Sequence, residues 1–186
     1  MVGIEVNHKL YRSMIGSFLY LAASRPNIAY AMGICARYQL DPRSADDRKS
    51  TSGGCFFLGN NLVSWFSKKQ NCVSMSTAEA EYIAAGSGYT QMIWMKNMLN
   101  EYGIMQGVMT LYYDNMSAID ISKNPVQHSS TKHIDIRHHF IRDLIENKVI
   151  TLRHICSNSQ LADIFTKPLD ATTFVHLRMC LGVCKI

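Results

Sequence analysis

The sequence predicts an α/β fold, a mixed sheet with helices packed on it behind an N-terminal helical segment. Three observations predict it. "CFFLGNNLVSWFSKKQ" places two apolar runs around Gly59-Asn60-Asn61, a β-hairpin signal. Downstream, strand-like runs alternate with stretches of helical period. Pro and paired Gly fall between these runs rather than inside them.

Taken in order, residues 10–39 read as two helical segments broken at Ser24-Arg25-Pro26, with Pro26 suited to a first helical turn. The polar stretch "LDPRSADDRKSTSGG" reads as a loop, and the hairpin follows. Residues 76–101 form a long helix. "VMTLYYD", 108–114, is a strand, and 115–123 a short helix. "HIDIRHHFIRDLIEN" is an amphipathic helix, and "VITLRHI" a strand. Residues 158–167 read as a helix stopped by Pro168, and "TTFVHLRMCLG" as a terminal helix. There is no internal repeat and no low-complexity tract.

With 186 residues, 47% of them hydrophobic and 18% charged, the chain can bury a real core, so a disordered tail is excluded. The formal net charge of +5 suits a polyanionic partner without demanding one. Cys35, Cys55, Cys72, Cys156, Cys180 and Cys184 form no C-x-x-C pair. With no secretory signal, they read as reduced thiols of an intracellular protein in cytoplasm or nucleus. The apolar part of "MIGSFLYLAA" is too short to span a bilayer, so no membrane partner is expected.

"MSTAEAEYIAA" carries two glutamates with different prospects. Ser76-Thr77-Ala78-Glu79 fits a capping box, in which Glu79 reaches back to the amide of Ser76. At about 100° per residue, Ala78, Tyr82, Ala85, Tyr89 and Met92 make one apolar stripe, and Glu81 lies on its border. Glu81 is either a border carboxylate reaching water or one that wants a cation. Asp114 ends a strand, where sites of open α/β sheets collect, yet Asp is also a good helix N-cap. Asp163 lies early in its helix, capped by Ser157 or Ser159, where a carboxylate also suits the dipole. Each alone suits a structural role. Together they suit a divalent-metal site of acidic oxygens.

"DRKSTSGGCFFLGNNLVSWFSKKQ", "STAEAEYIAA", "LYYDNMSAI", "TKHIDIRHHFIRD" and "QLADIFTKPL" closely resemble the ribonuclease H domain ending the Pol polyprotein of copia-type LTR retrotransposons. Residues 8–39 resemble the end of the preceding reverse transcriptase region. The resemblance implies a remnant at 1–43 and a ribonuclease H-like domain at 44–186. It also implies hydrolysis of the RNA strand of an RNA–DNA hybrid. Glu81, Asp114 and Asp163 match three of the family's four carboxylates, which hold two Mg²⁺ ions ~3.5–4 Å apart. His154 matches the mobile histidine that some ribonucleases H use in proton transfer; the plain alternative is a packed or solvated strand residue.

The fourth carboxylate is missing. The family's opening strand carries it, usually in a motif like Y-x-D-A-D-W-A-G, and in that register this chain has Tyr38 and Leu40. "ARYQLDPR" runs directly into "SADDRKSTSGG", which implies an internal deletion that removed the first strand and its aspartate. Asp41 is the nearest substitute, but Pro42 follows it and no strand pattern precedes it.

Other clusters weigh less. His128, His133, His138 and His139 lack the i, i+4 pairing of helical zinc sites. Lys132, Arg137, His138 and Arg142, with Lys68 and Lys69 (and Arg48-Lys49 beside them), suit either a phosphate backbone or a plain solvated face. Met92, Trp94, Met95 and Met98 read as helix packing. Cys180 and Cys184 have no matching His or Cys pair, so zinc is not expected there. Two readings follow: a working or residual Mg²⁺-dependent ribonuclease H, or an inactive relic that at most binds nucleic acid. The missing strand favours the second.

Overall fold

A computed structural model describes residues 7–37, 49–123 and 141–183. The chain divides into two compact units, Met1–Val73 with Leu161–Ile186, and Ser74–Gln160. The expected boundary at 43/44 lies outside the described residues.

In the first unit, helix α1 (His8–Ser24) starts where the Asn7 side chain accepts the Leu10 amide at 3.1 Å. Pro26 opens a 3₁₀ turn (Pro26–Ile28), where its missing N–H costs nothing, and α2 (Ala29–Arg37) follows. Ile15, Ala22 and Met32 form a small core between the helices. Strands β1 (Thr51–Leu58) and β2 (Asn61–Lys69) make the expected antiparallel hairpin. Gly59 takes φ +60°, which a side chain would resist, and so lets a two-residue turn close the ladder at Leu58 and Asn61.

The C-terminal segment docks on this hairpin. Gly53 and Ser67 are cross-strand partners. Ser67 Oγ donates to the Phe165 carbonyl at 2.7 Å, and a Cβ on Gly53 would lie 2.6 Å from the Phe165 Cβ. Phe165 is fully buried with Ile164 and Leu181, against Ala29, Cys55 and Trp65. Here the expected helix at 158–167 gives way to two 3₁₀ turns, Ser157–Ser159 and Leu161–Phe165. Seating Ile164 and Phe165 under the hairpin takes a shorter element. Asp170 then caps α5 (Ala171–Cys180), accepting the Thr173 amide at 3.0 Å.

In the second unit, α3 (Thr77–Glu101) buries Tyr82, Ala85, Tyr89 and Met92, the stripe that the sequence marks. Strand β3 (Met109–Tyr113) leads into α4 (Met116–Lys123), residues 141–146 are helical, and β4 (Ile150–His154) pairs with β3 in parallel. Tyr82, Ala85, Tyr89, Tyr113, Ala118, Ile119, Ile141 and Ile150 form the core. A parallel pair needs a crossover covering its faces, which α4 and the 141–146 helix supply.

The class is α/β, as expected. The described strands make two two-stranded sheets, the hairpin and the parallel pair. Among the described residues, no helix is long and apolar enough to cross a membrane.

Candidate functional site

The C-terminal end of the β3–β4 pair collects the polar groups of the second unit. β3 ends at Tyr113, with Asp114 next in the chain, and Tyr113 lies in register with His154 at the end of β4. Asp114 is half-buried, and among the described residues its carboxylate has no hydrogen-bond or ion-pair partner. It does not cap α4. Asn115 does, its Oδ1 accepting the Ser117 amide at 3.0 Å. The same Asn115 side chain donates from Nδ2 to Glu81 Oε1 at 3.4 Å. Glu81, half-buried on the α3 border, is thereby tied to the residue that follows Asp114. His154 is exposed.

Beneath this edge lies a buried hydroxyl network. The Tyr89 and Tyr113 hydroxyls lie 2.8 Å apart. Ser122, also buried, donates to the Ala118 carbonyl at 2.8 Å and bears on both tyrosines. Burial above all pushes the Tyr113 hydroxyl up to about 12, and the negative charge of Glu81 adds to the effect; burial drives Tyr89 up as well. Both phenols are therefore neutral donors near pH 7.

Glu79 is structural, with one amendment. The Ser76 Oγ accepts the Glu79 amide at 3.1 Å, but Glu79 Oε2 reaches the amide of Met75 at 2.6 Å, one residue earlier than the sequence suggests.

Asp163 belongs to the first unit. It sits in the Leu161–Phe165 turn, not in an α-helix, and its carboxylate, 15% exposed, pairs with Lys167 Nζ at 2.7 Å. Among the described residues, no group of three or more His, Cys, Asp or Glu side chains gathers in a way that could hold a metal ion. In the second unit, Glu81 and Asp114 offer the hard oxygens that Mg²⁺ favours.

Of the basic candidates, Lys68 is exposed and Lys69 half-buried at the end of β2. Arg142 pairs through Nε with Glu146 at 2.6 Å on an exposed helical face. Lys132, Arg137 and His138 lie outside the described residues, as do His128, His133, His139, Asp41 and Asp46. Asn115 is the site residue that the sequence reading missed. Its signal was available: Asn directly before a helical run is as good a cap as Asp.

Pol polyproteins of retrotransposons stand among the relatives of this chain and support a retroelement-derived domain. The chain is 33% identical to the retrovirus-related Pol polyprotein of transposon TNT 1-94 from Nicotiana tabacum, over 93% of its own length and 16% of the polyprotein. It is 31% and 30% identical to the Pol polyproteins of transposons RE1 and RE2 from Arabidopsis thaliana, over 95% of its length and 15% of each of theirs. The chain therefore spans about a sixth of these relatives. No family model matches, and no solved structure matches.

The alignments are longer than the chain allows. The tobacco alignment covers 215 positions, while 93% of 186 residues is about 173, which leaves about 42 positions with no counterpart here. The two Arabidopsis alignments cover 219 positions against about 177 residues, again about 42.

Proposed function

We propose that this chain is a retroelement-derived ribonuclease H-like module that has lost hydrolysis and keeps at most the capacity to bind nucleic acid, an RNA–DNA hybrid foremost. The recurring excess of about 42 aligned positions carries the reading. An identical shortfall against three relatives supports one internal loss rather than scattered trimming. The sequence motifs put that loss between Arg43 and Ser44, where the opening strand and its aspartate are due.

The remaining donors support the same reading. In an intact relative, carboxylates at the positions of Glu81, Asp114 and Asp163 would hold Mg²⁺, which supplies an activated water and stabilises the leaving oxygen. Here Asp163 is engaged by Lys167 at 2.7 Å. No hydrolytic step is assigned to such a set. The alternative, residual nuclease activity, draws on the Asp114 carboxylate at the β3 end, which has no partner among the described residues. His154 would then be placed for proton transfer.

The test is cleavage of a labelled RNA–DNA hybrid in Mg²⁺ by the chain as it stands. A second chain would carry the tobacco relative's unmatched segment inserted between Arg43 and Ser44. The proposal expects no cleavage above background from the first and cleavage from the second. Mg²⁺-dependent cleavage by the first, abolished by Asp114→Asn, would overturn it.

A further inference from the structure

In the first unit, the last helix presents a pair of soft donors that the cysteine pattern alone does not reveal. His176 and Cys180 are four residues apart on α5 and both are exposed, while Leu177 and Leu181 are buried. Residues at i and i+4 share a helix face. Here the side chains meet: His176 Nε2 lies 3.8 Å from Cys180 Sγ. Cys184, the cysteine first considered with Cys180, lies outside the described residues.

That separation has a chemical meaning. A tetrahedral zinc ion with Zn–S near 2.3 Å and Zn–N near 2.0–2.1 Å holds its sulfur and nitrogen about 3.6 Å apart. The observed pair is within a few tenths of an ångström of that span, with the right ring nitrogen turned toward the sulfur. Little side-chain movement is needed to receive the ion. Helix pairs of this spacing are the usual way in which a single helix supplies two zinc ligands. The helix is also held in place at both ends, by the Asp170 cap and by burial of Leu177 and Leu181.

We propose that His176 and Cys180 form a binding site for a thiophilic divalent cation, Zn²⁺ above all. The imidazole and a thiolate, deprotonated as the metal binds, are its two protein ligands. Two coordination positions remain for water or for donors from another molecule. This is distinct from the carboxylate site: soft ligands select zinc, whereas Glu81 and Asp114 offer oxygens suited to magnesium. It does not depend on the ribonuclease H reading.

The experiment is a Co²⁺ titration of the full chain, kept reduced and metal-free, followed by Zn²⁺ competition. The expected result is a thiolate-to-cobalt charge-transfer absorption that saturates at one equivalent and is bleached by Zn²⁺. Cys180→Ser should abolish that absorption. His176→Ala, which keeps every thiol, should weaken the apparent affinity by no less than the ~10–100-fold typical of losing even a second-shell partner. Both side chains are exposed, so far-UV circular dichroism should show both variants folded. An absorption unchanged in Cys180→Ser or in His176→Ala would overturn the proposal, because the metal would then reside on other cysteines. A second readout is mass-spectrometric mapping of thiol alkylation. Zn²⁺ should slow modification of Cys180 while leaving the exposed Cys35 and Cys156 unaffected. Equal rates at Cys180 with and without Zn²⁺ would also overturn it.

Discussion

Asn115 Nδ2 lies 3.4 Å from Glu81 Oε1 while Asn115 Oδ1 caps α4. One amide thus fixes the start of a helix and steadies the carboxylate opposite it. An aspartate could serve the first role but not the second, because it has no donor to offer at neutral pH.

The first prediction separates the two roles. Asn115→Ala should lower stability by about 0.5–2 kcal/mol, the usual cost of losing a cap. Asn115→Asp should keep the cap but set a second negative charge against Glu81. Its destabilisation should shrink as salt is raised, since screening weakens the repulsion. Urea denaturation at low and high ionic strength reads both effects. A salt-independent loss in Asn115→Asp would show that the Glu81 contact carries no electrostatic weight.

Glu79 and Glu81 should behave oppositely. Glu79 closes the α3 cap by accepting the Met75 amide at 2.6 Å, so Glu79→Ala should cost about 0.5–2 kcal/mol. Glu81→Gln removes a half-buried charge beside neutral Tyr113 and should leave stability level or higher. It should also weaken any Mn²⁺ binding at the β3 end, which Glu79→Ala should not. Thermal melts with calorimetric metal titration decide it, and equal metal affinities in the two variants would mean the roles are misassigned.

What was legible in the sequence is what local chemistry dictates. Ser76 with Glu79 fixes the start of α3, Pro26 separates α1 from α2, and Gly59-Asn60 closes the hairpin, each within a few residues. The turn holding Asp163 was not legible. Phe165 is held by Ser67 and Gly53, roughly a hundred positions away, and long-range packing overrides the local helical pattern. His176 with Cys180 was written at i and i+4, but a search confined to cysteine spacings passes over it.

Gly53→Ala tests that docking. Its Cβ would meet Phe165 Cβ at 2.6 Å and Thr166 Cγ2 at 2.7 Å, and the Phe165 carbonyl carbon at 3.1 Å, so backbone must give way. Overpacking of this kind costs about 1–3 kcal/mol. Ser67→Ala, which loses one hydrogen bond to a carbonyl, should cost about 0.5–1.5 kcal/mol. Chemical denaturation gives both, and a neutral Gly53→Ala would refute the close approach.

Alkaline pH should weaken the second unit through its tyrosines. Unfolded, they titrate near 10; folded, Tyr113 is pushed up to about 12 and Tyr89 is also raised, burial being the main cause in each. Below pH 10 both states keep these protons, and the contribution is fully present. Above it the unfolded chain loses protons first, so stability should fall progressively from pH 10 through 12. Half-buried Cys55, raised by burial from 9.0 to about 12, adds a decline in the first unit that begins nearer pH 9. Tyr113→Phe should cost about 0.5–1.5 kcal/mol at neutral pH by removing one partner of the Tyr89 hydroxyl, which keeps Ser122. The double change Tyr89→Phe with Tyr113→Phe should cost less than the sum of the singles and flatten the alkaline slope. Unfolding midpoints between pH 8 and 11 would measure it; an unchanged slope in the double variant would place the alkaline transition elsewhere.

The last prediction concerns what the chain does to a hybrid when repaired. If the unmatched segment returns an opening strand and its aspartate, the carboxylates at 81 and 114 gain the partner that lets two hard cations sit close despite their repulsion. Glu81→Gln and Asp114→Asn in the repaired chain should then each abolish cleavage. On the proposed reading, the same changes in the chain as it stands should alter nothing. Mn²⁺, less strict in geometry than Mg²⁺, should recover the most activity wherever the ligand set is incomplete. Hybrid binding should survive in both chains, since phosphate contacts come from Lys and Arg, and it should weaken as salt rises. Lys68→Ala, at an exposed position on β2, should reduce that salt slope by about one if it meets a phosphate. Filter binding across a salt series, run beside the cleavage assay, separates the two properties. A repaired chain that binds the hybrid yet still fails to cut it would mean that the missing aspartate is not the reason for silence. The Lys167–Asp163 ion pair would then be the next obstacle to remove, through Lys167→Ala.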